Sequence, residues 1–451
     1  MSNYNEDTNK CELSMKDNML EKELSSLNKR SKNILNEVLT FWDIVISCVL
    51  FLLCMFVFSK MYSLQEDQAL HLSFIFNKMK LHLLFFNIDY NSLTQWLVYF
   101  FGFGNKTLMY QAFLFLLSIS FVLKYFVIRW INTDFLSLYG ISYTNKWILR
   151  ICAIFISFSF PVFTYFQITS ANWYRGLVPH CVWHNPTIII AMPFVLMFFW
   201  ESYKILVLRD RRHFLLLFIL LFLNFFTKPV FLMPALPIFV LFFIMFDCDS
   251  VCNYRLSLSK RKILSILILT IPCLLIILYL YNRTFGVNGL DISFVNTLSN
   301  HNKNYNYMPS VYFVMRRFFG IGNTNNCLVV LFVILSLISR FFWLNASYFF
   351  SLFALKKRIS FLNFYALSIW LLALIFSLLI TEIKNPASEN LLWPLISCNN
   401  VLLVVGVNNF LFLSNQSKIN VFALLSFSLL LLHAYCGFLY LIRLIMNGVW
   451  Y

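Results

Sequence analysis

Residues 41–58 read FWDIVISCVLFLLCMFVF, eighteen positions with one charged residue, Asp43. A helix needs about 20 predominantly apolar residues to cross a hydrocarbon core ~30 Å thick. The stretch therefore reads as a membrane span, and the rest of the chain repeats it. Of 451 residues, 60% are hydrophobic and 12% charged, with 53 Phe and 22 Tyr. Mean hydropathy is +0.74. A soluble domain has about 25% charged and about 45–50% apolar residues. The composition excludes a soluble globular enzyme, a disordered chain and a disulfide-stapled secreted module.

Further apolar runs lie near 107–128, 147–167, 187–203, 214–228, 230–246, 263–281, 327–354, 359–381, 394–413 and 419–442. The expected fold is all-α, a polytopic membrane protein with about eleven transmembrane helices by the length criterion. The pair 214–228 and 230–246 is short and interrupted by Pro229, Pro234 and Pro237. It suits two short crossings, or broken or re-entrant helices, whose freed backbone needs cover from protein or water.

Residues 1–40 are polar and mixed in charge, with no apolar stretch behind a short basic segment. They read as a cytosolic tail rather than a cleaved signal, which leaves 41–451 as a single multi-span domain. The formal net charge of +16 is then a question of which side the cations face, not of nucleic acid. With the tail inside, the cytosolic segments hold 20 Lys and Arg and the outer segments 11. That bias supports a cytosolic N-terminus. Most of the eleven Cys sit in apolar runs, where a thiol behaves as a small hydrophobe. Cys248 and Cys252 have CxxxC spacing without a second pair, so a zinc site is not indicated.

The outer segments fall near 59–106, 168–186, 282–326 and 382–393, and they carry the unusual residues. Trp96, Trp130 and Trp200 suit an interfacial aromatic belt. Acids and cations beside spans are costlier and tend to line a polar cavity. Glu66 and Asp67 follow the first span. If 64–80 is helical, Asp67 and His71 share one face, four apart, and a carboxylate beside a His suits a general base or metal ligand. Arg175, His180 and His184 sit between Trp173 and Pro186, where Pro179 and Pro186 argue against a regular metal-binding helix. Lys228 lies between two apolar runs. It can snorkel to the interface or meet an anionic group, as can Arg283, Arg316 and Arg317, whose forks match phosphate oxygens. Glu389 completes the candidate binding set. Asp43 opens the first span and is placed to cap it.

A many-helix architecture, an acid pair Glu66-Asp67 after the first span, and later outer loops with basic and polar residues together resemble the GT-C superfamily of integral-membrane glycosyltransferases. WHNPT (183–187), FTKPVF (226–231) and ENLLWP (389–394) resemble a pattern of bacterial envelope membrane proteins. The resemblance implies an acid of the first outer loop as catalytic base or metal ligand, and a polyprenyl-phosphate sugar as donor. It implies a glycan acceptor, membrane lipids as surroundings and the bacterial inner membrane as location. No cofactor is indicated with certainty; a divalent metal ion could share the neutralising role. Two rivals remain open. A surface-polysaccharide polymerase would lean on Arg283, Arg316 and Arg317. A transporter or flippase would place carboxylates or broken helices at mid-membrane.

Overall fold

The structure, a computed structural model, describes residues 37–63, 67–80, 92–141, 145–159, 186–208, 211–248, 254–256, 290–292, 343–355, 360–382, 393–415 and 419–447. Among them the architecture is helical. α1 is Phe41–Ser63, α2 Asp67–Lys80, α3 Ser92–Phe101, α4 Lys106–Leu138 and α5 Lys146–Phe158. α6 is Pro186–Leu208, α7 Arg211–Thr227, followed by a 3-10 turn Pro229–Phe231 and α8 Leu232–Met245. α9 is Trp343–Ala354, α10 Phe361–Leu379, α11 Trp393–Asn415 and α12 Val421–Asn447. Four three-residue strands form two antiparallel ribbons. β1 (Phe246–Cys248) pairs with β2 (Tyr254–Leu256), and β3 (Leu290–Ile292) with β4 (Ile380–Glu382).

Five described helices, α1, α4, α6, α11 and α12, are long and apolar enough to cross a membrane, and the bent pair α7–α8 makes a sixth candidate. These helices are apolar all round, as helices buried in a core or in lipid must be. α4, α6 and α11 are mostly buried and form the centre, whereas most of α1 and α12 faces outward. α4 packs on α1, α5, α6 and α11, and α11 also packs on α9 and α10. Gly406 of α11 permits a close approach to α9. A Cβ there would lie 3.2 Å from the Cα of Tyr348. Small residues let membrane helices come this close.

α4 outruns the span expected at 107–128. Asn105 caps its start, its Oδ1 accepting from the Thr107 amide at 2.9 Å. At its far end Gly140 takes a left-handed φ of +67°, and the Ile141 amide returns to the Leu136 carbonyl at 2.9 Å. That is the Schellman stop, which glycine favours. The apolar run 107–128 stops before Arg129, a charge that is costly in apolar surroundings unless it is paired. In the fold Arg129 and Asp134 are both buried and paired, so the helix continues through them.

α7 and α8 are bent by 118° at Lys228. Phe214 near the start of α7 lies 5.7 Å from Phe243 near the end of α8. The pair is therefore a hairpin whose two feet lie together. The feet share one end of the bundle with the start of α1, here the tail end. The bend points to the other, here the bend end. Two expected spans, 263–281 and the first part of 327–354, lie outside the described residues.

Candidate functional site

Lys228 is the last residue before the 3-10 turn. Pro229 has no amide hydrogen and cannot continue α7, so the chain reverses there, and the Lys228 amide closes on the Asn224 carbonyl at 2.9 Å. The side chain is only 5% exposed, and its ammonium lies 4.8 Å from the centre of the Trp393 ring. Trp393 opens α11 and is itself buried. A cation over an indole face is held by the ring quadrupole, and more strongly where water is excluded. Trp96 of α3 stands 6.1 Å from Phe226, two residues before Lys228.

α2 brings His71 to the same place. It packs on α1 and touches α4 and α6. The helix expected across Asp67 and His71 is present, so the two are one turn apart. Burial, and then the nearby Lys228 ammonium, push the His71 imidazole down to about 4. At neutral pH it is therefore an uncharged hydrogen-bonding group beside a cation. Because the folded value lies below the ordinary one of 6.5, the unfolded chain binds the extra proton first. Stability from this group is complete above the unfolded value and is lost as pH falls from there through the folded value. Lowering the pH from 7 towards 4 should lower the melting temperature of the wild type more than that of His71→Asn. Equal losses would remove His71 from the account.

Three long helices begin at the bend end, α4 at Lys106, α6 at Pro186 and α11 at Trp393, while α7 ends there at Thr227. Helix starts carry partial positive charge, so they reinforce Lys228 in favouring an anion. The ribbon β3–β4 lies here too, with Asp291 opposite Thr381. It joins two of the outer segments expected from sequence, 282–326 and 382–393. Asp67 is placed as the first residue of α2. Glu66, Arg175, His184, Arg283, Arg316, Arg317 and Glu389 lie outside the described residues. Among the described residues no group of three His, Cys, Asp or Glu could hold a metal ion.

The tail end holds a second set of buried charges. Asp43 does not cap α1. Thr40 takes that place, and Asp43, three residues on, receives the Thr40 hydroxyl at 2.5 Å. The Asp43 carboxylate also accepts from Tyr125 at 2.8 Å, Arg129 Nε at 3.1 Å and Arg150 Nη2 at 3.2 Å. Nearby, Glu201 bridges Lys204 at 2.7 Å and His213 at 2.5 Å. Lys204 stands 4.7 Å from the Trp130 ring. Trp200 was expected in a lipid-facing belt, but it is fully buried and donates to Asp134 at 2.8 Å. A buried indole N–H needs an acceptor, and Asp134 supplies it. Midway along α4, the buried Lys124 donates to Asn400 of α11 at 2.9 Å.

Comparison with protein families, curated proteins and solved structures finds no match for the chain. The fold itself defines a class: a helical bundle with several helices able to cross a membrane, with buried ionic groups at one end and a buried lysine beside tryptophan at the other.

Proposed function

We propose that the protein is a membrane glycosyltransferase. It moves a sugar from a polyprenyl-phosphate donor to an envelope-glycan acceptor at the outer face of a bacterial inner membrane. The observation that carries the reading is the meeting of Lys228, His71 and Trp393 at the bend end. A buried ammonium, an uncharged imidazole and three helix starts suit a lipid-linked phosphate presented at the membrane surface.

The alternating direction of the helices supports an outer bend end and about eleven passes between the two ends, five or six of them made by described helices long enough to cross a membrane. Ring and side-chain contacts make α1, α5, α7, α10 and α12 run from tail end to bend end, and α4, α6, α8, α9 and α11 run back. β1–β2 follows α8 at the tail end, and β3–β4 follows α10 at the bend end. β2 and β3 are thus placed at opposite ends, and the sequence between them contains the apolar run 263–281.

In the reaction a base takes the acceptor hydroxyl proton, the oxygen attacks the anomeric carbon, and the bond to the donor phosphate breaks. Glu66 or Asp67 is the base by the GT-C resemblance. Lys228 neutralises the departing phosphate, with Arg175, Arg283, Arg316 and Arg317 as further candidates. One displacement inverts the anomeric centre. A divalent metal could share the neutralisation.

The test is the surface-glycan profile of wild type, gene deletion and Glu66→Gln/Asp67→Asn, with membrane levels matched. Loss of the same sugar in the deletion and the double variant is expected. Glycan collapsing to single repeats would make the protein a polymerase. An unchanged profile in the deletion would end the envelope-glycan reading. A transporter would then lead, because the buried Lys124 puts a cation midway along α4, where a transporter could use it.

A further inference from the structure

At the tail end, two helices start side by side over a charge imbalance. Asp43, Arg129 and Arg150 are all under 5% exposed, and Asp43 contacts both arginines. One carboxylate thus faces two guanidinium groups. Arg129 also donates to the Glu37 carbonyl at 3.3 Å, yet its Nη1 has no hydrogen-bond partner among the described residues. The positive ends of α1 and α5 add to the imbalance rather than relieve it. Among the described side chains at this end, the exposed Glu37 is a further acid and the exposed Lys146 a further base, while Asp134 and Glu201 face Lys204 and His213 rather than the two arginines. A net positive charge buried in apolar surroundings is costly unless an anion lies against it.

The outer skin of this corner is aromatic. Phe41 and Trp42 are 5.6 Å apart, Trp42 and Trp147 5.3 Å, and all three are exposed. The Arg150 guanidinium lies 4.7 Å from the centre of the Trp147 ring. Exposed indoles at a bundle end belong at headgroup depth. The cationic corner therefore opens where lipid phosphates lie.

We infer that this corner binds the phosphate of an acidic glycerophospholipid, with Lys146 in contact, Arg129 and Arg150 supplying the field from below, and Trp42 and Trp147 against the glycerol and upper acyl chain. The site is at the opposite end from Lys228, so it is independent of the proposed transferase reaction.

The test uses the full chain in bilayer discs of mixed phosphatidylglycerol and phosphatidylcholine, with lipids retained on release measured by native mass spectrometry. The wild type should retain phosphatidylglycerol over phosphatidylcholine. Lys146→Gln should lower that preference about fivefold, the worth of one cation near an acidic surface. Trp147→Ala should lower retention of both lipids at this site. Lys106→Gln, an exposed lysine at the bend end, should change nothing. Lys146→Gln alters an exposed side chain, so folding is preserved, and because the Trp147 ring lies against Arg150 the thermal midpoint of Trp147→Ala is compared with that of the wild type. Equal retention of the two lipids by the wild type would overturn the inference and assign the balancing charge to the chain's own acids. Equal losses in Lys106→Gln and Lys146→Gln would overturn it as well, by showing only general surface charge.

Discussion

Replacing Asp43 by Asn is expected to destabilise the bundle by about 3–5 kcal/mol, the cost of stranding one member of a buried ion pair. The side chain keeps its size and can still accept from Tyr125 and Thr40. What it loses is the charge shared by Arg129 and Arg150, which join α4 and α5 to the start of α1. Two guanidinium groups would then be buried without the carboxylate that both contact. The loss should appear as a lower thermal midpoint and lower accumulation in the membrane. Removing one of the stranded cations as well, in Asp43→Asn/Arg150→Met, should recover part of the loss, because methionine fills similar space without charge. An Asp43→Asn protein that melts with the wild type would show that α1 is held by its apolar face alone. Acidic lipid should matter more to Asp43→Asn than to the wild type, since the uncompensated charge has grown.

The same centre shows where reading along the chain stops. An apolar run announces α1, and the chain's hydropathy announces a membrane bundle, because both depend on local composition. Asp43 looks like a cap from the sequence, since an acid at a helix start usually serves that end. Its partners lie 82 to 107 positions away, and no local pattern reports them. The expected span 107–128 stops short of Arg129, whose charge would be costly in lipid if Asp43 did not lie against it. Trp200 suited a belt by composition, yet its partner Asp134 comes from another helix. At the bend end the local signals were better. FTKPVF contains both the cation and the proline that turns the chain. ENLLWP contains Trp393, the ring that Lys228 meets, although nothing in either motif says that the two touch. The periodicity that put Asp67 and His71 on one face was sufficient, because that relation is internal to α2.

Lys228→Met is expected to lower sugar incorporation into surface glycan about 100- to 1000-fold, the loss seen when one preorganised donor to a developing charge is removed. Methionine keeps the length and the apolar stem, so the packing of the bend against Trp393 persists. Lys228→Arg keeps a cation and should retain part of the activity, though a planar fork does not place its charge where an ammonium did. The kinetics separate the possible duties of the residue. A lysine that only carries its charge to the interface would leave the activity per folded molecule within a few-fold in Lys228→Met, and that result would remove Lys228 from the reaction. A lysine that neutralises a departing phosphate acts mainly on the charge that grows as the bond breaks. Its loss should therefore appear in kcat, with KM for the donor changing less. The reverse pattern, a raised KM with kcat intact, would make Lys228 a binding residue for a phosphate that is already fully charged when it arrives. In that case the neutralising cation must be sought among Arg175, Arg283, Arg316 and Arg317.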